Sequence, residues 1–362
     1  MSESVHLGIV ILAAGQGSRM KSSLPKVLHK LAGRPLLQHV VDTSRNLSPR
    51  KLVIVYGHGG DQVRHTISGE DLGWAEQAQQ LGTGHAVMQA MPVFDDNQVV
   101  MVLNGDVPLV NQNTLTELAS IAAKGRLGLL TVHLDDPTGY GRIVRDQHGN
   151  VERIVEHKDA SEHERGIGEV NTGILAVNAG QLRNWLSNLG NDNAQGEYYL
   201  TDIIALAVAD GIEVEAIHPL CVQEVMGVNS RVQLAELERL YQCECANALM
   251  TSGVTIIDPT RIDIRGNVTI GQDVTLDVNV VLEGEVTIGS GTYIGPNCFI
   301  KDSVIGANVE MLPMCVVENA RVGEGSRIGP YSRLRPGAEL IGENHIGNFV
   351  EIKTAKLDRA VR

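Results

Sequence analysis

Two cations stand just behind a glycine-bearing turn: Arg19 and Lys26, in the stretch LAAGQGSRMKSSLPK that runs from Leu12 to Lys26. An apolar run precedes it. Main-chain N–H groups of such a turn approach phosphate oxygens closely, and a helix start behind it adds positive potential. Arg19 and Lys26 carry the charge to neutralise a triphosphate. Gly15-Gln16-Gly17 is only G-x-G: it lacks the third glycine of a dinucleotide fingerprint and the GK[ST] ending of a P-loop. On spacing alone the turn is a generic anion site, with a purely structural turn as the alternative. Asp106, in NGDVP behind another apolar run, has the chemistry of a metal ligand and equally that of a turn or capping aspartate. His85 and His157 have the chemistry of general bases but read better as packing or hydrogen-bonding groups.

These residues need elements to carry them. LGIVILAAG, KLVIVYG, VVMVLNGD and LGLLTVHL read as strands, and PLLQHVVDTSRNL, GTGHAVMQAMPVF and NTLTELASIAAKG between them as helices. Near-continuous apolar strands alternating with helices imply βαβ units and a mostly parallel sheet covered on both faces. Ligands of such sheets bind beyond the carboxyl ends of the strands, where AAGQGSR, NGDVP and YGHGG all fall. YGRIVRDQHGNVERIVEHKD reads as an antiparallel hairpin turning at His148-Gly149-Asn150. This first domain is expected over residues 1–228. Residues 229–253 carry apolar side chains at helical spacing, closed by Gly253, and read as one connecting helix.

From 254 to 362 the pattern changes. Ile264, Ile270, Leu276, Leu282, Ile288, Ile294 and Ile300 recur every six residues. The phase slips by one at Ile305, resumes through Met311 and Val317, and slips again to Val322, Ile328 and Leu334. A later run gives Ile346 and Ile352. Neither a helix nor a plain strand has this period. Hexapeptide repeats build a parallel β-helix, three hexads to a triangular coil, with the aliphatic position stacked inward and small residues at the corners.

A formal net charge of −13 over 362 residues disfavours a nucleic-acid or anionic-membrane partner. It leaves room for an anionic small substrate held by a few local cations or a metal ion. The N-terminus lacks a basic segment and its apolar run is too short for a signal peptide or membrane span, so a cytoplasmic protein is expected. The five cysteines (221, 243, 245, 298 and 315) are odd in number and irregular in spacing, and read as free thiols.

Taken together, the motifs carry a resemblance. LAAGQGSRMKSSLPK is similar to the signature of the sugar-phosphate nucleotidyltransferases. With QLGTGHA, NGDVPL, DDPTGYGRI, VEHKDA, EVNTGI, QGEYYLTD and GVNSR in that order, the chain resembles one family among them over nearly its whole length. That family is the bacterial bifunctional N-acetylglucosamine-1-phosphate uridyltransferase/glucosamine-1-phosphate acetyltransferases. The resemblance implies an α/β Rossmann-like nucleotidyltransferase domain with a mixed, mostly parallel sheet, followed by a left-handed β-helix that assembles as a homotrimer. It also implies UMP transfer from UTP to N-acetylglucosamine 1-phosphate, supplying UDP-N-acetylglucosamine for peptidoglycan and lipopolysaccharide precursors.

Residue by residue, Leu12, Ala13, Ala14 and Gly15 match positions lining the nucleotide, and Gln77, Gly82 and Thr83 match contacts to uracil. Arg19 and Lys26 match phosphate-binding catalytic positions. Gly141, Glu156, Asn171 and Thr201 match sugar-binding positions. Asp106 and Asn229 match ligands of Mg²⁺, which prefers oxygen donors. Asn104 departs from the family's usual tyrosine and removes a ring contact, whereas Ser18 in place of threonine keeps the hydroxyl. In the family the β-helix transfers acetyl from acetyl-CoA, and Arg335 and Lys353 match its sugar-phosphate contacts; on residue type alone both read as solvated surface charges. The chain ends at Arg362 before the family's catalytic histidine, so uridyltransfer is expected and acetyltransfer is not. The alternatives are a nucleotidyltransferase for another sugar 1-phosphate, such as glucose 1-phosphate, and a non-catalytic trimeric scaffold.

Overall fold

A computed structural model describes residues 6–15, 17–57, 59–67 and 69–362. Gln16 and His58, inside two of the loops singled out above, lie outside the described residues, as do residues 1–5. The chain divides into two compact units: residues 1–29 with 35–234, and residues 30–34 with 235–362.

The first unit is built on strands β1 (Leu7–Ala13), β2 (Lys51–Tyr56), β3 (Leu72–Glu76), β4 (Val99–Asn104), β5 (Leu127–His133), β6 (Arg142–Arg145), β7 (Val151–Val155), β8 (Glu169–Asn178) and β9 (Val214–Ile217). They join one sheet in the order β9-β5-β8-β4-β1-β2-β3, with the β6–β7 hairpin attached to β8. β1 pairs in parallel with β2 and β4. Its side chains alternate between two apolar cores: Ile9 and Ile11 enter one, Val10 the other. Burial on both faces is why its sequence is a continuous apolar run rather than an alternation.

Helices α1 (Leu36–Asn46), α2 (Gly60–Thr66), α3 (Thr83–Ala90), α4 (Gln112–Ala123), α5 (Glu162–Arg165), α6 (Ala179–Ser187) and α7 (Ile203–Ala209) complete the unit. α1 and α4 supply Leu37, Val40, Leu115 and Leu118 to the first core. α3, α6 and α7 supply Val87, Leu182 and Ile203 to the second. The hairpin forms where its turn residues place it. β8 runs antiparallel between β4 and β5 near the middle of the sheet. Its segment, EVNTGILAVN, mixes polar and apolar residues: its register shifts between Asn171 and Leu175, and that stretch lines a cavity.

Helix α8 (Arg231–Thr251), which belongs to the second unit from Ala235 on, precedes a run of parallel strands. Gln242, buried on α8, donates its amide to Ile264 O at 2.8 Å and accepts from Ile264 N at 2.7 Å, extending the ladder of the first coil. The six-residue period becomes a stack: Ile264, Leu282, Ile300, Val317, Leu334 and Ile352 follow one another in register along one face. Leu276, Ile294, Met311, Ile328 and Ile346 line a second. Ile270, Ile288, Ile305, Val322, Leu340 and Leu357 line the third. The phase slips are shortened coils, since 300 to 317 spans one residue fewer than 282 to 300. Fully buried and laddered above and below, an inner aliphatic such as Ile300 contributes about 1.5–3 kcal/mol.

Candidate active site

Strand ends assemble the site. Leu12 pairs with Asn104 across β1 and β4, and Gly105 N donates to Leu12 O at 2.9 Å. The turn after β1 and the Asp106 loop after β4 therefore lie side by side. Val228 N donates to Asp106 O at 2.9 Å, which brings Asn229 to the same point. Lys26 follows Pro25 on a short 3-10 turn, Lys26–Leu28. Its ammonium lies 2.5 Å from Asp106 Oδ2 and 3.0 Å from Asn229 Oδ1. A carboxylate and an amide oxygen thus converge on one cation, the donor chemistry that suits a hard divalent ion. The stem of Lys26 crosses Gly17, where a Cβ would sit 2.6 Å from Lys26 Cβ.

These groups open on a cleft of ≈ 550 Å³ lined by Leu12, Ala13, Ala14, Gly15, Lys26, Gln77, Gly82, Thr83, Asp106 and Asn229, within the range of small-molecule sites. Gln77, buried, donates Nε2 to Gly82 O at 2.9 Å, and its amide lies 3.2 Å from His85 Nδ1. Gly82 precedes α3 with φ 109°, and a Cβ there would meet Tyr198 O at 2.6 Å. Only glycine fits this approach. His85 also meets Gln89 and so serves as a hydrogen-bonding group. His157 lies 3.3 Å from Arg142 Nη2.

A second cleft, of ≈ 220 Å³, continues from the first through the shared residues Leu12, Thr83, Asn104, Gly139, Tyr140 and Thr172. Gly141, Glu156, Asn171 and Thr201 line it. Thr201 Oγ donates to Glu156 Oε1 at 2.9 Å. Burial pushes the Glu156 carboxyl up, the Thr201 hydrogen bond opposes this, and the charges of Asp202, Asp159 and Glu197 add to the rise. Asn104 sits where the two clefts meet. Its Nδ2 donates to Thr172 O at 2.9 Å and fills the space over Gly173, so this amide ties β4 to the irregular stretch of β8.

Arg19, exposed on the turn Ser18–Met20, lines neither cleft, although its charge acts on the Tyr140 phenol. Arg335 and Lys353 belong to the second unit, where Arg335 pairs with Glu351 at 3.4 Å and Lys353 is exposed. Sequence reasoning did not single out Tyr140, Thr172, Gln80 or Glu197 as site residues. All four lie inside quoted motifs, but nothing in their types distinguished them. All five cysteines are free thiols.

An α/β sheet with a convergent Lys-Asp-Asn cluster at its strand ends and an adjoining second cleft is the arrangement of a nucleotidyltransferase, and comparison with known proteins agrees. The family description "MobA-like NTP transferase domain" matches residues 9–252, and "GMPPB C-terminal domain" matches residues 264–356. The bifunctional protein GlmU of Ralstonia nicotianae is 57% identical over 351 residues, covering 97% of this chain and 77% of the relative. Those of Ralstonia pickettii and an Azoarcus species are each 56% identical, over 97% and 96% of this chain and 77% of each relative. The chain belongs to the bifunctional GlmU family of nucleotidyltransferases.

Proposed function

We propose that the first unit transfers UMP from UTP to N-acetylglucosamine 1-phosphate, releasing pyrophosphate and UDP-N-acetylglucosamine. The observation that carries the reading is the convergence of Lys26, Asp106 and Asn229 in the cleft that Gln77 and Gly82 also line. Main-chain groups of the Leu12–Gly15 turn hold the nucleotide, Gln77, Gly82 and Thr83 read the base, and Gly141, Glu156, Asn171 and Thr201 hold the sugar. The sugar phosphate is largely a dianion near neutral pH, because its second pKa is ~6. It needs no general base to attack the α-phosphorus in line, and pyrophosphate leaves opposite. Catalysis is then orientation and charge stabilisation, in which Lys26 holds phosphate oxygens and Arg19, exposed outside the lining of both clefts, adds positive charge. Families of this class use a divalent metal; Asp106 and Asn229 would hold Mg²⁺, which supplies charge neutralisation on the triphosphate when bound.

Nucleotide and sugar-phosphate substrates, a homotrimer through the β-helix and a cytoplasmic location complete the reading. No described helix is long and apolar enough to cross a membrane. Pyrophosphate release measured across pairs of nucleoside triphosphate and sugar 1-phosphate tests it. The expected result is a preference for UTP with N-acetylglucosamine 1-phosphate; equal turnover with glucose 1-phosphate would overturn the sugar assignment. Absence of turnover with every pair would leave the scaffold reading instead.

A further inference from the structure

Outside both clefts, three adjacent strands bring together His133, Glu169 and His218. His133 ends β5 and lies directly opposite Glu169 of β8 in the antiparallel register. His218 follows β9, whose Ile217 pairs with Leu130 of β5. One potential ligand atom from each residue lies within 4.8 Å of the other two, and the imidazole centroids are 5.4 Å apart. Both histidines are exposed, whereas Glu169 is 6% exposed.

Hydrogen bonds prepare these groups. Thr131 Oγ donates its one proton to Glu169 Oε1 at 2.8 Å. Towards His218 Nδ1, 3.2 Å away, that hydroxyl can then only accept, as can Thr131 O at 3.1 Å. Nδ1 therefore carries the proton and Nε2 keeps the lone pair, the arrangement found behind metal-ligating histidines. Arg145 takes Oε1 through Nη2 and Oε2 through Nε, both at 2.7 Å. A carboxylate oxygen accepts two hydrogen bonds, so Oε2 retains one lone pair among the described residues.

We propose that His133, His218 and Glu169 form a binding site for a borderline divalent transition-metal ion, with Zn²⁺ as the representative. Two imidazoles and one carboxylate suit such an ion and leave a coordination position for water. The donor set separates it from the oxygen-only pair Asp106 and Asn229. Bound there, the ion would clasp β9, β5 and β8. Arg145 shares the carboxylate and weakens the site without closing it.

The test is titration of the chelator-stripped full chain with Zn²⁺ by calorimetry, repeated with Co²⁺ and read by visible absorption. The expected result is one equivalent bound, with affinity at least about tenfold weaker in His133→Ala and in His218→Ala. Far-UV circular dichroism of these surface variants should match the parent. Asp106→Ala and Cys221→Ser, the latter removing an exposed thiol three residues from His218, should bind like the parent. No binding by the parent, unchanged affinity in both histidine variants, or loss confined to Asp106→Ala or Cys221→Ser would overturn the site.

Discussion

Lys26→Met removes the ammonium while keeping an unbranched stem across Gly17. In the wild-type protein that ammonium sits 2.5 Å from Asp106 Oδ2 and 3.0 Å from Asn229 Oδ1, and the two charged side chains are 15% and 16% exposed. A unit charge about 4 Å from another contributes roughly 1 kcal/mol in water and 4 kcal/mol at the effective dielectric of a protein surface. In the nucleotide-free protein, Lys26 therefore competes with any cation for the same two oxygens. Its removal should tighten Mn²⁺ binding, measured by electron paramagnetic resonance without nucleotide, by about tenfold or more at ~1.4 kcal/mol per decade. Uridyltransfer moves the other way: a preorganised positive group on the reacting phosphates is lost, a cost of about 10²–10³ in kcat. Opposite signs in the two measurements are the signature of one side chain that both occupies the cation position and serves the phosphates. Mn²⁺ binding that is unchanged or weaker in Lys26→Met would refute the competition. Uridyltransfer within a few fold of wild type would refute the phosphate role.

Glu156→Gln tests the buried carboxyl. Its pKa is raised in the folded state, so it contributes stability below the ordinary carboxylate pKa and loses that contribution as pH climbs through the raised value. The variant should therefore melt higher than wild type at pH 7, with the difference vanishing near pH 4, while its KM for the sugar phosphate rises; a pH-independent difference in melting temperature would contradict this. Gly82→Ala forces a side chain at φ 109° against Tyr198 O, a strain of about 1–3 kcal/mol. Steady-state kinetics should show a raised KM for UTP with that for the sugar phosphate unmoved, and equal effects on both would argue against a base-side role. Ile300→Ala empties a fully buried position between Leu282 and Val317 and should cost about 2–5 kcal/mol in denaturant unfolding. A loss under about 0.5 kcal/mol, the range of surface substitutions, would remove Ile300 from the core.

Local chemistry made much of this protein legible from its residues alone. The apolar runs of β1, β2, β4 and β5 are continuous because both faces are covered, and the six-residue aliphatic period is the footprint of a stack whose contacts repeat coil by coil. The turn behind β1 could be read as a candidate anion site because glycine spacing and nearby cations are sequence properties. Two kinds of feature were not legible. β8 escaped because its mixed pattern reflects a register shift and a place at the clefts, which depend on partners far along the chain. The site itself is tertiary: Lys26 lies 80 residues from Asp106 and 203 from Asn229, and the Val228–Asp106 main-chain bond helps bring the last of these within reach. The same holds for the raised carboxyl of Glu156, for the tie from Asn104 to Thr172, and for the meeting of His133, Glu169 and His218. Residue type determines which groups can bind a phosphate, a proton or a metal. Folding alone decides which of them share a few ångströms, and how much water is left between them.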